Sequence, residues 1–546
     1  MYILGVNGWN KRSHDPAVAL IKDNELIACI EEERLSRSRH AFEQIPYKSI
    51  QYCLGAAGIE ANDIDVLAIG WDYHKKYRDR GMAIPPETLD LIELYLPANL
   101  FGRTRKPELD IHEHHKAHAA SVYHLSNVKE AAVLVLDGQG ENESTSFWRG
   151  NDNGHLERVA SFPIGASLGY FYEAINIVLG FHNLDSGKTM GLAPYGKIIT
   201  PFEDMPSPEE ICPGLGSTNT DEHTEVTTPL LRYFDKKFSV KVTKATLQKE
   251  FSQLEKDVAA SAQNYLERKY LEYVQRIKVA INLPNLCIAG GVAMNCCANS
   301  FIQRARLFEN YFHMPLPFDA GVSIGAAAAS LQQRRKEKVT LRWSVYSGAE
   351  YSDNDIKNAI QEKKLQGVYV STPETIAADF LSRNKVIAWF QGRMEMGARA
   401  LGNRSVLADP REESNKIRVN AIKGREQWRP FSPSVLAEDM AEIFDENIQC
   451  PYMMHTLNVK NEFKQKIPAV IHCDGTSRAQ SVTKESSPLY YALINEFKSR
   501  TGIPLILNTS LNGPGEPICC SPADALDFYS RANFDAIFIG NYMIIK

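Results

Sequence analysis

The sequence predicts an α/β protein built on a duplicated lobe, followed by a second, smaller α/β domain. Three observations carry this. An apolar strand ending in a polar residue and glycine occurs twice, as ILGVNG and VLVLDG, which sets Asn7 opposite Asp137. A strand-turn-strand pattern follows each copy. At QQRRKEK the chain turns polar and basic, and LRWSVYSGAEYSDNDI begins something new, so a boundary falls near 340. Two hairpin units, each leading into helices and a further strand, are the pattern of an actin-like pair of lobes with nucleotide between them. The 546 residues exceed one hydrophobic core, and about two to four domains is the expectation for that length. The division expected is 1–340 and 341–546.

In order, the strands are Ile3–Val6, Ala17–Ile21 and Leu26–Ile30, with Asp23-Asn24 as a tight turn. The second copy runs Ala132–Leu136, Ser144–Arg149 and Leu156–Phe162, with a turn at 151–154. Between its first two strands lies Asp137-Gly138-Gln139-Gly140-Glu141. A carboxylate at the end of a buried strand faces the ligand crevice of an α/β sheet, and Gly138 and Gly140 let backbone N–H groups approach a phosphate. CIAGGVAMN reads as a strand and a helix start at Gly290-Gly291, suited to adenosine or phosphate, and it ends at Asn295. Asp319 precedes an Ala-rich helix, as a helix cap or as a ligand.

Composition narrows the class. Hydrophobic residues make up 44% and charged residues 23%, as in ordinary soluble proteins. The net charge of −5 argues against a chain-wide nucleic-acid surface. Ten cysteines without a C-x-x-C pair suggest free thiols in a reducing compartment. No apolar run approaches membrane-spanning length, and MYILGVNG lacks a secretory lead, so a cytoplasmic protein is expected. A monomer and a homodimer are both open.

HEHHKAHAAS, residues 112–121, is the densest histidine stretch. The zinc-protease signature H-E-x-x-H fails, because Lys116 stands where the second histidine is required. His114 and His118 are four apart, so on a helix both imidazoles project from one face and can grip one cation. A solvated helix with incidental histidines is the bland alternative. Together with Asp137 and Asp319 the pair makes two imidazoles and two carboxylates, a set that suits a divalent transition metal with room for phosphate oxygens or water.

The second half is dense in glycine-spaced cations. Arg393, Glu395, Arg399 and Arg404 lie among Gly392, Gly397 and Gly402, which disfavours a helix and points to a loop shaped around an anion. Lys423, Arg425, Arg429, Arg478, Asn508, Ser510 and Asn512 are further candidates, since cations and neutral donors on separate segments can surround a small, highly charged phosphate. The strand at 503–507 ends at Asn508 in this reading.

These blocks resemble the antibiotic O-carbamoyltransferases of the NodU/CmcH type, nearly end to end. The resemblance rests on SHDPAVAL, EEERLSRSRH, HEHHKAHAAS, LDGQGE, GKTMGLAPYG, GGVAMN and DAGVSIGAA, and then on GRMEMGARALGNRS, KGREQWRPFSP, DGTSRAQSV and LNTSLN. It implies a first domain related to the tRNA threonylcarbamoyltransferase and a second related to threonylcarbamoyl-adenylate (YrdC-like) synthases. The implied chemistry takes carbamoyl phosphate and ATP, with Mg2+, to carbamoyl-adenylate, and then passes the carbamoyl group to a hydroxyl of a small natural product: an antibiotic, toxin or sugar. Iron(II) is the metal implied for the first domain. Nucleotide contacts are implied from Gly138, Gly140, Lys188, Gly290, Gly291 and Asn295, and catalytic roles for His14 and Arg39. His14 is the candidate to touch the acceptor or the carbamoyl group, including as general base. No nucleic-acid or membrane partner is implied.

Two positions depart from the family. Arg39 stands where lysine is common, keeping the charge in a planar fork. Ala398 replaces the proline of GPRALG. Residues 198–250 read as a variable, solvated insertion in which Asp221, Glu222 and Glu225 are available to a cationic acceptor. Three rivals share parts of the pattern: a tRNA threonylcarbamoyladenosine-type enzyme, which needs a basic RNA surface; an actin-like small-molecule kinase, which needs no second anion-binding domain; and a nucleotide-dependent binding module, which needs no His/His/Asp/Asp set.

Overall fold

The two apolar-strand repeats fold into two five-stranded sheets of identical topology in a computed structural model, which describes residues 1–9, 13–212, 222–239 and 244–546. The first sheet has β1 (Tyr2–Asn7), β2 (Ala17–Lys22), β3 (Glu25–Glu31), β4 (Val66–Ile69) and β5 (Glu108–Ile111) in the order β3-β2-β1-β4-β5. The second has β6 (Ala131–Leu136), β7 (Glu143–Gly150), β8 (Leu156–Pro163), β9 (Asn285–Ala289) and β10 (Asn310–His313) in the order β8-β7-β6-β9-β10. In each, the first three strands pair antiparallel, and the last two run parallel to the first. This is the duplicated, actin-like lobe pair. Asn7 and Asp137 hold equivalent places at the ends of the two central strands. The Asp23-Asn24 turn is real, with Asp23 at φ 55°.

Two helices pack between the sheets at unusually close range, and small residues allow it. The helix His114–Leu125 crosses Val322–Gln333 so closely that a Cβ on Gly325 would lie 1.8 Å from the Ala117 carbonyl oxygen. A Cβ on Gly5 of β1 would lie 1.9 Å from the Ser323 carbonyl oxygen. The Ala-rich stretch after Asp319 is thus a packing surface. Its closeness brings Asp319 to the first turns of the His114–Leu125 helix.

Part of the segment read as a solvated insertion is ordered helix. Glu222–Phe238 is helical with Pro229 inside it. Val226, Leu230 and Phe234 recur every fourth residue and are buried, with Phe234 packed on Phe171 and Phe202. Glu225 lies on this helix, while Asp221 and the side chain of Glu222 lie outside the described residues.

The chain divides into two compact units, Met1–Glu32 with His40–Trp343, and Glu33–Arg39 with Ser344–Lys546. The single cut near 340 did not foresee the short N-terminal segment of the second unit. That segment is tied by guanidinium groups: Arg37 donates to the carbonyls of Ile518 (2.6 Å) and Pro517 (2.9 Å), and buried Arg34 donates to that of Gly397 (2.9 Å).

The second unit holds a mixed eight-stranded sheet and a small ribbon. In chain order the strands are β11 (Val368–Tyr369), β12 (Ile387–Phe390), β13 (Arg404–Ala408), β14 (Ser432–Leu436), β15 (Leu457–Asn458), β16 (Thr476–Ser477), β17 (Gln480–Val482), β18 (Leu505–Ser510), β19 (Ala536–Ile539) and β20 (Tyr542–Ile545). The sheet order is β11-β20-β19-β12-β13-β18-β14-β17, and β15 pairs with β16. Asn508 lies within β18, opposite Leu407 and Ser432, so the strand does not end there as expected. All ten cysteines are free thiols.

Candidate functional site

In the first unit, four predicted side chains converge. His114 and His118 sit one turn apart on their helix, Asp137 follows β6, and Asp319 precedes the second packed helix. Their ligand atoms all lie within 4.8 Å of one another. His114 Nε2 is 3.1 Å from His118 Nε2, 3.2 Å from Asp137 Oδ2 and 3.6 Å from Asp319 Oδ1. The other nitrogen of His114, Nδ1, lies 3.2 Å from the Gly70 carbonyl, which can only accept. Nδ1 therefore carries a proton, and Nε2 is the nitrogen that faces the carboxylates, protonated toward them without a cation and able to bind one once that proton leaves. Two inward-facing imidazoles between two carboxylates are the donor chemistry of a divalent transition metal, so the residues present fit the implied ion.

Electrostatics agree with a cluster built for a cation. Burial disfavours the Asp137 and Asp319 carboxylates, yet hydrogen bonds from both histidines hold Asp137 well below the usual range and Asp319 at about 2. Burial likewise lowers His114, and Asp137 and Asp319 outweigh it, raising the group to about 10. The other two histidines of the motif face elsewhere. His112 Nε2 meets Ser330 Oγ and His115 Nδ1 meets Ser146 Oγ, each at 2.8 Å.

Several neighbours that hold this cluster were not apparent in the sequence. The Glu141 carboxylate accepts the backbone N–H of His114 (2.9 and 3.1 Å) and of Asp72 (3.0 Å), capping the helix that carries both histidines. Trp71 stacks on His114 at 3.9 Å. Ser167 Oγ donates to the carbonyl of Gly138 (2.7 Å) and lies 3.2 Å from that of Asp137.

The glycines do more positioning than the sequence reading gave them. Gly291 N–H donates to Asp137 Oδ1 at 2.8 Å. Gly290 has φ 94°, and a Cβ there would lie 2.1 Å from the Leu136 carbonyl oxygen. A short 3-10 helix, Gly291–Met294, starts at this pair, and the α-helix begins only at Cys296 with Asn295 as its cap. The Asn295 side chain accepts from Ala298 N–H and pairs with Gln263, so it is engaged in structure. Gly140 makes room for His115, whose ring carbon would lie 2.7 Å from a Cβ. At Gly138 an added Cβ would meet only Tyr170, at 3.5 Å. Lys188 pairs with Asp185 at 3.1 Å.

His14 lies on the loop after β1, where its Nδ1 meets Asp15 Oδ2 at 2.9 Å. Burial lowers the imidazole, and the Asp15 hydrogen bond outweighs this and raises it to about 10, with Asp319 and Glu173 adding to the effect. Arg39 is exposed and ends the short segment that belongs to the second unit.

The second unit gathers the other predicted cations. Lys423 Nζ donates to the Asn512 amide oxygen (2.8 Å) and carbonyl (3.2 Å), to Ser510 Oγ (3.2 Å), and to the Ser510 carbonyl. Burial, then Arg425 and Arg429, push this ammonium well below its ordinary range. Burial, then Arg429 and Arg478, also push Arg425 down. Like charges that depress one another mark a place where an anion would be welcome. Arg425 is held by the Asn420 amide oxygen (2.6 Å), and Arg478 by Ser432 Oγ (3.0 Å).

Two expected members turn inward instead. Arg404 is fully buried; its terminal nitrogens donate to the carbonyls of Gln391, Asn403, Ala349 and Gly392, and its plane lies over Phe390. Those bonds hold the loop. Asn508 is buried, and its Nδ2 donates to the Ala400 carbonyl (3.1 Å) and Ser434 Oγ (3.0 Å). The glycine-spaced loop is indeed shaped around an anion, but that anion is its own: Glu395 Oε1 accepts the N–H groups of Leu401, Asn403 and Arg404. Arg399 sits on this loop.

Models of the carbamoyltransferase N-terminus and C-terminus match residues 2–328 and 378–546. The chain belongs to the carbamoyltransferase family. It is 35% identical to nodulation protein NolNO of Sinorhizobium fredii over 98% of this chain and 80% of that one. To nodulation protein U of the same organism it is 28% identical, over 95% of each. Among solved structures, the activator of the 2-hydroxyisocaproyl-CoA dehydratase from Clostridium difficile aligns with 61% of this chain and 95% of its own, at 14% identity and a TM-score of 0.34. Among the described residues, no helix of this carbamoyltransferase is long and apolar enough to cross a membrane.

Proposed function

We propose that the chain is an ATP-dependent O-carbamoyltransferase with two chemical stations, an adenylate-forming one in the second unit and a transfer one in the first. The observation that carries this is the pairing, in one family member, of the His114/His118/Asp137/Asp319 cluster with the Lys423/Arg425/Arg429/Arg478 cluster.

In the second unit, carbamoyl phosphate and ATP, with its Mg2+, bring several negative charges together. Lys423, Arg425, Arg429 and Arg478 offset that charge, Arg399 adds to it, and Ser510 and Asn512 fix the orientation of the lysine. Carbamoyl phosphate gives up inorganic phosphate to water; the resulting carbamate oxygen attacks the α-phosphorus of ATP, and pyrophosphate leaves. The product is carbamoyl-adenylate.

In the first unit, the loop Asp137–Gly140 and the Gly290-Gly291 turn face the adenylate. A divalent metal held by the four clustered side chains would supply Lewis-acid charge beside the adenylate phosphate. His14 keeps a proton on Nδ1 for Asp15 and presents Nε2 toward the carbamoyl group or the acceptor hydroxyl. The acceptor oxygen bonds to the carbamoyl carbon, the bond to AMP breaks, and the hydroxyl proton departs. A small-molecule hydroxyl is the acceptor this chemistry serves.

The test is isotope exchange between ATP and pyrophosphate, with and without carbamoyl phosphate. Exchange that depends on carbamoyl phosphate is the expected result. Exchange without it would overturn the carbamoyl phosphate-dependent adenylation, and phosphoryl transfer from ATP to a sugar would replace this reading with a kinase.

A further inference from the structure

One carboxylate in the first unit carries two imidazoles. Asp15 Oδ2 lies 2.9 Å from His14 Nδ1, and Asp15 Oδ1 lies 2.9 Å from His40 Nδ1. The backbone stitches the same two segments together. Asp15 N–H donates to the His40 carbonyl at 2.8 Å, and Glu43 N–H donates to the Ser13 carbonyl at 3.0 Å. The Asp15 side chain is only 14% exposed, so water does not satisfy it in place of these partners.

The backbone is held in an uncommon conformation to make this arrangement. Asp15, His40, Ala41 and Glu43 have φ of 53°, 62°, 38° and 56°, the left-handed region that L side chains rarely adopt. Four such residues on two touching segments are a local concentration of strain, and strain of this kind persists where the surroundings over-determine the geometry. Phe42 lies between them in sequence, 42% exposed, with its ring 6.3 Å from that of His14 and 5.6 Å from that of His40.

A carboxylate accepts hydrogen bonds and donates none when ionised, so each imidazole holds its proton on Nδ1. For His14 this leaves Nε2 as the nitrogen that takes up or gives away a proton. The groups that bear on the His14 charge are Asp15, Asp319 and Glu173, and His40 bears on Asp15. We infer that Asp15 is a positioning residue that fixes the ring orientation and tautomer of His14, and that His40, bound to the other oxygen of the same carboxylate, holds Asp15 in place. The inference rests on the reading of His14 as the acid–base group of carbamoyl transfer, and it names the device that aims it.

The experiment follows the two imidazoles themselves in the full chain. Diethyl pyrocarbonate modifies unprotonated imidazole, and peptide mass spectrometry reads His14 and His40 separately across pH. In Asp15→Asn, the midpoint of His14 falls by one unit or more, about tenfold in reactivity per unit below the midpoint. His40→Asn keeps a donor toward Asp15 and preserves the His14 profile, whereas His40→Leu shifts it. An unchanged His14 profile in Asp15→Asn overturns the inference. Where Asp15→Asn fails to fold, the two His40 variants decide: identical His14 profiles overturn it, and a shift confined to His40→Leu upholds it. AMP release from carbamoyl phosphate and ATP is measured in parallel. A shifted profile with unaltered turnover would uphold the positioning and refute the catalytic reading of His14.

Discussion

Glu141 offers the sharpest test of how the first-unit cluster is held. Its carboxylate is fully buried and accepts two backbone N–H groups, one from His114 and one from Asp72. Burial pushes this carboxyl up, while the His114 charge and the two N–H groups draw it down. Glu141→Gln keeps one acceptor oxygen but loses the charge. The difference between a charged and a neutral hydrogen bond is about 1–1.5 kcal/mol, or about 5–13-fold in an equilibrium constant. Glu141→Ala leaves both N–H groups buried without an acceptor, at about 1–3 kcal/mol each. Because His114 is the first residue of its helix, fraying of that turn moves a ligand, and the cost divides between folding and cation binding. Cobalt(II) serves as the probe, titrated against a chelator and read by its ligand-field absorption, with urea unfolding alongside. The expected order is parent, then glutamine, then alanine in both assays. An alanine variant that binds cobalt within twofold of the parent and unfolds at the same urea concentration would refute the capping argument.

Three further outcomes are expected. His118→Ala loses cobalt binding and carbamoyl transfer while ATP–pyrophosphate exchange persists; equal loss of both reactions would show that the two stations are not separate. Arg478→Ala cuts that exchange by about 10–150-fold, the equivalent of about 1.5–3 kcal/mol for a charge-assisted contact, and leaves cobalt binding unaltered; added carbamoyl-adenylate restores product, and failure of that rescue places Arg478 elsewhere. His112 and His124 are buried, and burial lowers both to about 4; the unfolded chain takes up their protons below its ordinary value of about 6.5, so stability is full above that pH and falls as pH drops toward 4, by about 2 kcal/mol per histidine at pH 5. His124→Asn, which keeps a donor for the Val339 carbonyl, flattens the urea-unfolding difference between pH 7.5 and 5 by that amount, and an unaltered slope would refute the assignment.

What was legible in the sequence follows from the range of the interactions involved. The repeated strands were visible because each is a short apolar run closed by a polar residue and glycine, and hairpin pairing is local. His114 and His118 were visible because four residues make one helical turn, and Asp137 and Asp319 because strand and helix ends face a crevice. Glu141 and Trp71 were hidden, since each meets His114 across tens of residues of sequence, and the Asp15–His40 pair because its turns depend on left-handed residues that carry no glycine signal. The helix Glu222–Phe238 was missed although Val226, Leu230 and Phe234 recur at its period, because the surrounding Pro, Thr and acidic residues dominated the composition.

Charge was the harder quantity to read, because a cation that binds substrate and a cation that holds a loop look alike in one dimension. Burial and partners separate them. Arg404 spends its terminal nitrogens on four carbonyl oxygens, and a phosphate would have to displace those bonds and leave the carbonyls unsatisfied. Glu395 already fills the backbone N–H cradle of the glycine-spaced loop. The group formed by Lys423, Arg425, Arg429 and Arg478 differs, because there neighbouring positive charge adds to burial in depressing Lys423 and Arg425. An anion bound there would relieve repulsion that the fold already carries, whereas one bound at Arg404 would break a finished structure. On the proposed function the glycine loop is therefore the frame, and the lysine–arginine group is the station proposed for the charged substrate.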